Sequence, residues 1–137
     1  MNTSKIDPEG LIKKATEARE HAYAPYSNYR VGAAVQTADG RIFTGTNVEN
    51  AVYPLTLCAE RVAIAKAVSA GARHVVALAV VTSNAGSPCG SCRQVMREFG
   101  VPEMPIFIGS PDGTYTTWTL EELLPASFSA MDLEADR

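Results

Sequence analysis

Cysteine and histidine are scarce in this chain: three cysteines and two histidines among 137 residues. An odd, small number of thiols excludes a disulfide framework. It fits a reducing compartment, where thiols serve metals or redox chemistry. No apolar run is long enough to cross a bilayer, so no membrane partner is expected. Met1-Asn2-Thr3-Ser4-Lys5 is followed by no apolar stretch of the kind that carries a secretory signal, and a cytoplasmic location is expected. Positive charge is also short: 12 Lys and Arg stand against 15 Asp and Glu, for a net charge of −3, and no segment concentrates the cations. Binding a polynucleotide needs a basic footprint. A small, nearly neutral substrate is expected instead of DNA or RNA. Internal repeats and low-complexity linkers are missing too, so residues 1–137 read as one domain, long enough to bury a core without covalent staples.

What is present is concentrated. Cys58-Ala59-Glu60-Arg61 and Pro88-Cys89-Gly90-Ser91-Cys92-Arg93 hold all three cysteines. A catalytic zinc takes three protein ligands and keeps one position open, whereas a structural zinc is closed by four. Cys89 and Cys92 are three apart, a spacing that puts both side chains on one face of a helix, with Ser87 as N-cap and Pro88 as first helical residue. Cys58 sits near the start of another helix. Helix N-termini favour negative charge and lower thiol pKa, so three thiolates can share one ion between two positive helix ends. The rival reading is a structural zinc site completed by His21 or His74, although neither histidine lies in a short ligand pair. Glu60, two residues past Cys58, is expected beside the reacting water and not as a ligand. Arg61 and Arg93, each directly after a motif, are expected to donate to thiolate sulfur and withdraw charge from the metal. An Arg at a helix N-terminus needs such an anion, and Arg61 is the better placed of the two.

In chain order, apolar spacing predicts a helix from about Pro8 to Tyr23, capped by Asp7. Strands follow at Val31 to Thr37 and Arg41 to Val48, joined by a hairpin at Asp39-Gly40. A helix runs from about Cys58 to Ala70. The nearly unbroken apolar run Val75 to Thr82 reads as a central strand, and the Cys89 helix then runs toward Gly100. Pro105 to Ile108 and Thr114 to Trp118 are short strands close enough to pair as a hairpin. Leu120 to Leu124 is a short helix, and the remainder reads as tail. The sum is an α/β, three-layer α/β/α architecture with a five-stranded mixed sheet. Asn47 and Glu49 alternate at a strand end and point to one side. From spacing alone they are equally a turn Asn and an exposed Glu.

Five blocks in register, Ala24-Pro25-Tyr26-Ser27, Val31-Gly32-Ala33-Ala34, Asn47-Val48-Glu49-Asn50-Ala51, Cys58-Ala59-Glu60-Arg61 and Pro88-Cys89-Gly90-Ser91-Cys92-Arg93-Gln94, resemble the small homotetrameric cytidine deaminases. The Cys-x-Glu and Pro-Cys-x-x-Cys pattern is that of zinc nucleobase deaminases in general. The resemblance implies a cytidine deaminase-like fold and one zinc per subunit held by Cys58, Cys89 and Cys92. It also implies hydrolytic deamination of cytidine and 2′-deoxycytidine in pyrimidine salvage. A zinc-activated water would attack C4 while Glu60 moves the protons. By the same resemblance, Asn47 and Glu49 bind the ribose hydroxyls and backbone groups of Ala59 and Cys89 hold the base edge. Tyr29 takes a position that usually holds a Phe stacked on the pyrimidine, and its hydroxyl needs a partner. Residues matching Ala51, Tyr53 and Phe128 complete sites across subunit interfaces. The runners-up are a blasticidin-type nucleoside deaminase, which shares the zinc blocks, and a non-catalytic zinc module that binds nucleosides or a protein.

Overall fold

Asp7 opens the first helix, α1 (Pro8–Arg19): its carboxylate accepts from the Gly10 amide at 3.1 Å, and Pro8 occupies a position whose amide needs no partner. The structure, a computed structural model, describes residues 5–136. Residues 1–4, on which the expectation about a secretory signal partly falls, lie outside the described residues. The helix stops at Arg19, short of the expected Tyr23. The chain is instead drawn into pairing there: Tyr23 donates its amide to Asn47 O, and Glu49 donates to Tyr23 O.

Strands β1 (Gly32–Thr37) and β2 (Ile42–Thr46) form the expected antiparallel hairpin, with Gly40 at φ 90° in its turn. Helix α2 (Ala59–Ser69) leads to β3 (Val75–Val81), and α3 (Gly90–Phe99) to β4 (Pro105–Gly109). Then come β5 (Tyr115–Thr119), α4 (Leu120–Leu123) and α5 (Ala130–Glu134). The sheet order is β2-β1-β3-β4-β5, with β3 and β4 parallel and the other neighbours antiparallel. The parallel pair is adjacent because α3 supplies the crossover that parallel strands need.

Two-residue alternation sends side chains of the central strands to opposite faces. Ala34, Ala77, Ala79, Val81 and Phe107 pack against Leu11, Ile12 and Ala15 of α1. Ala33, Val35, Leu78, Val80, Ile106 and Ile108 pack against α2, α3 and α4. The result is the expected three-layer arrangement. Small residues bring α2 very close to the sheet: a Cβ at Gly45 of β2 would lie 2.5 Å from Ala59 O and 2.6 Å from Ala63 N. That approach fixes the height of the α2 N-terminus over the sheet. The tail differs from expectation, since α5 forms where none was foreseen. Ser129 and Asp132 make a reciprocal capping box there, a four-residue signal legible in the sequence.

Candidate active site

Two helix starts meet over the sheet. Cys58 is the N-cap of α2, and Cys89, not Ser87, is the N-cap of α3, with its sulfur 3.5 Å from the Cys92 amide. Cys92 follows in the first turn of α3 and is fully buried. The three sulfurs lie within 4.8 Å of one another, and Cys89 and Cys92 are 3.4 Å apart. Zinc–thiolate bonds of about 2.3 Å in a tetrahedral site separate sulfurs by about 3.8 Å, so the triad fits that ion. His21 and His74 are exposed and outside the group. Among the described residues, nothing closes the site with a fourth His or Cys. The four-ligand structural reading therefore finds no support.

The thiols are already polarised. Cys58 is pushed down to about 5, chiefly because the Cys92 thiol donates to it, with Arg61 assisting against the cost of burial. Cys92 is pushed up, as the donor to Cys58 and through burial. A divalent cation binding here displaces the protons that the sulfurs share. Arg61 Nη2 lies 3.5 Å from Cys58 Sγ and 3.4 Å from Thr56 O. Among the described residues its buried Nε has no partner. An orphaned cationic donor against a thiolate cluster suits a site that carries net negative charge once its sulfurs are ionised.

Glu60 follows Cys58 by two residues, and its carboxyl is buried, 4 % exposed. Burial pushes its pKa up from 4.5 to about 7. The Cys58 charge adds to this, while a hydrogen bond from its own backbone and the Arg61 charge oppose it. The sulfurs and Glu60 open into one pocket of about 270 Å³, walled by Ser27, Tyr29, Val31, Asn47, Glu49 and Thr82 among others. Among the described residues, Lys, Arg and His are missing from its walls. A proton carrier with a pKa near neutrality, three thiol ligands with an open side, and a cavity of nucleoside size occupy one place.

The model for the cytidine and deoxycytidylate deaminase zinc-binding region matches residues 6–108. The chain belongs to this deaminase family. A cytidine deaminase from Halalkalibacterium halodurans is 48 % identical over 130 residues, covering 93 % of this chain and 98 % of the relative. One from Mycobacterium tuberculosis is 42 % identical over 134 residues, covering 96 % and 97 %. The crystal structure of cytidine deaminase from Burkholderia pseudomallei superposes with a TM-score of 0.85 at 46 % identity, covering 90 % of this chain and all of that one.

The other residues singled out by the deaminase resemblance separate into two groups. Asn47, Glu49, Tyr29 and Ala59 line the pocket. Asn47 spans two strand approaches: its Oδ1 accepts from the Val31 amide at 3.0 Å and its Nδ2 donates to Tyr29 O at 2.7 Å. One lone pair and one N–H remain for a ligand. Glu49 Oε1 accepts from the Tyr26 and Ser27 amides, and Oε2 accepts from the Ser27 hydroxyl. The Ser27 hydroxyl is the main reason that Glu49 stays below the usual carboxylate range. Arg93, Ala51, Tyr53 and Phe128 do not line that pocket. Arg93 corrects the sequence-based expectation. It donates to Pro88 O, just before α3, and to Leu123 O, at the end of α4, both at 2.7 Å, because packing places these carbonyls within reach of its guanidinium. Tyr53 is exposed and meets Tyr26 edge-to-face at 5.8 Å beside an adjoining cavity. Ala51 and Phe128 are exposed, and Phe128 O accepts from Gln94 Nε2 at 2.8 Å. Sequence reasoning missed Ser27 and Thr82. Both are short hydroxyl side chains that only the folded chain brings to the site.

Proposed function

We propose that this chain is the single catalytic domain of a cytidine deaminase, converting cytidine and 2′-deoxycytidine with water to the corresponding uridines and ammonia. The observation that carries the reading is the buried Glu60 carboxyl beside three sulfurs within 4.8 Å of one another, at the floor of a nucleoside-sized pocket. Cys58, Cys89 and Cys92 would hold one zinc ion, which supplies the Lewis acidity that makes water a nucleophile at neutral pH. Glu60 takes one proton from the attacking water and passes it to ring N3, then takes the second from the new C4 hydroxyl and delivers it to the amino group, which leaves as ammonia as the C4 carbonyl forms. Burial suits the carboxyl to both duties, since a pKa near 7 makes it base and acid in turn. Arg61 holds the Cys58 thiolate and removes part of its charge. Asn47 and Glu49 offer their remaining acceptor and donor sites to the sugar, and the Tyr29 ring walls the base.

The pocket favours a free nucleoside over a nucleotide. With no Lys, Arg or His in its walls among the described residues and Glu49 at one side, a 5′-phosphate finds no cationic partner and meets a like charge. Incubation of the zinc-loaded protein with equimolar cytidine or cytidine 5′-monophosphate, followed by ultraviolet absorbance, is expected to show turnover of cytidine and at least a hundredfold lower kcat/KM for the phosphate. No turnover of cytidine overturns the enzyme reading.

A homotetramer working in the cytoplasm in pyrimidine salvage completes the proposal. Among the described residues, no helix is long and apolar enough to cross a membrane. Val52, Tyr53, Leu55 and Leu57, close in sequence to Cys58, and Phe128 on the C-terminal segment are large apolar side chains left exposed, the kind of surface that a neighbouring subunit would cover. Phe128→Ala is expected to raise KM for cytidine about tenfold while size-exclusion mass still reads four chains. A monomeric parent protein, or unchanged kinetics, contradicts this part.

A further inference from the structure

We infer that Asn84 is a positioning residue for the nucleoside pocket, acting through the Tyr29 hydroxyl; this deepens the deaminase reading and rests on it for the identity of the ligand. Asn84 is exposed and is not among the pocket walls, yet it ties two of those walls together. Tyr29 Oη donates to Asn84 Oδ1 at 2.8 Å, and Thr82 Oγ1 donates to the same oxygen at 3.2 Å. Thr82 Oγ1 in turn accepts from the Gly86 amide at 2.6 Å. The donors run in one direction, from Gly86 through Thr82 to Asn84, with Tyr29 arriving from the far side. Such chains polarise each bond in turn.

The tie joins segments distant in sequence. Tyr29 precedes β1, whereas Thr82 to Ser87 is the loop between β3 and the Cys89 helix. Tyr29, Thr82, Gly86 and Ser87 all line the pocket, so the spacing of ring and loop is the spacing of two of its walls. The fit leaves no slack: a Cβ at Gly86 would lie 2.3 Å from Tyr29 Oη. Ala85, between Asn84 and Gly86, has a φ of 55°, a conformation that alanine rarely adopts and that persists only where its surroundings require it. Without the Asn84 acceptor, Tyr29 is free to turn toward solvent, and the ring no longer presents a fixed face to a pyrimidine. Pre-organising such a wall improves ligand binding more than it changes the chemical step.

The test compares Asn84→Ala with Asn84→Asp, because Asp keeps the shared acceptor that both hydroxyls use. Cytidine KM and kcat are measured together with the uridine Kd by calorimetry, the last being independent of turnover. Asn84→Ala is expected to raise both KM and the uridine Kd about fivefold while kcat changes less than twofold. Asn84→Asp should stay within twofold of the parent in all three. A uridine Kd for Asn84→Ala within twofold of the parent overturns the inference, as does Asn84→Asp impaired to the same degree as Asn84→Ala. If the parent binds uridine without turning over cytidine, the deaminase reading fails, while the fivefold loss of uridine binding still supports Asn84 as a positioning residue.

Discussion

Glu60→Gln is expected to retain one zinc per chain and lose about a thousandfold in kcat, the middle of the range that positioned proton transfer supplies. The amide keeps the size and much of the polarity of the carboxyl but cannot take a proton from water or return one to the leaving amine. Zinc retention separates this role from a structural one, because among the described residues the group that can grip an ion comprises the three sulfurs and not Glu60. Loss of zinc from the variant would make Glu60 part of the metal's support. The pH profile gives a second reading. A carboxyl that must be ionised to accept the first proton produces an acid limb in kcat/KM. Burial is the largest cause of the upward shift and does not depend on the metal, so the limb should centre between the ordinary 4.5 and about 7. Activity should fall as pH drops through that window. The residual activity of Glu60→Gln should show no such limb.

The same shift has a sign in stability. A carboxyl whose folded pKa is above its unfolded one stabilises the fold fully below the unfolded value, and the benefit is lost as pH rises through the folded value. Zinc-free Glu60→Gln should therefore gain on the zinc-free parent between pH 5 and pH 8, by on the order of 2 kcal/mol. Denaturant unfolding at the two pH values measures the difference, and an equal gap at both would show that the carboxyl is not held in a dry site.

Cys92→Ser should remove the metal altogether and take turnover below detection. Cys92 is the fully buried member of the triad, sits in the first turn of α3, and has its sulfur 3.4 Å from that of Cys89 and within 4.8 Å of that of Cys58, so its loss leaves two thiols without the geometry to hold an ion. Elemental analysis should fall from one zinc per chain to near zero. Dialysis of the parent against a strong chelator should reproduce the loss, and added zinc should restore the parent but not the variant. Full activity in a chelated, zinc-free parent would remove the basis of the mechanism. Because Cys92 also packs among Ala59, Ala63, Leu78 and Met96 in the larger core, some loss of thermal stability is expected as well. The chelator arm separates that effect from loss of the ion.

Sequence alone determined the elements and their layering, because the hydrophobic period was strong over most of the chain. The burial of Gly32 to Val35 in β1 and the near-complete burial of β3 follow from apolar runs that no surface strand tolerates, whereas the burial of Gln36 and Thr37 at the end of β1 was decided by the fold. The metal ligands were legible as well, since three cysteines in two short blocks leave few alternatives. Boundaries were less secure where long-range pairing overrode local preference, as at Tyr23, which left its helix to bond Asn47 and Glu49. The role of each arginine was decided only in three dimensions. Arg61 and Arg93 occupy matching positions after their motifs, yet one faces sulfur and the other reaches carbonyls of Pro88 and Leu123, because a guanidinium bonds whichever acceptor packing places within its reach. The Tyr29–Asn84 tie spans 55 residues of sequence, and no periodicity or motif encodes a contact that exists only once the sheet has brought the end of β3 beside the start of β1.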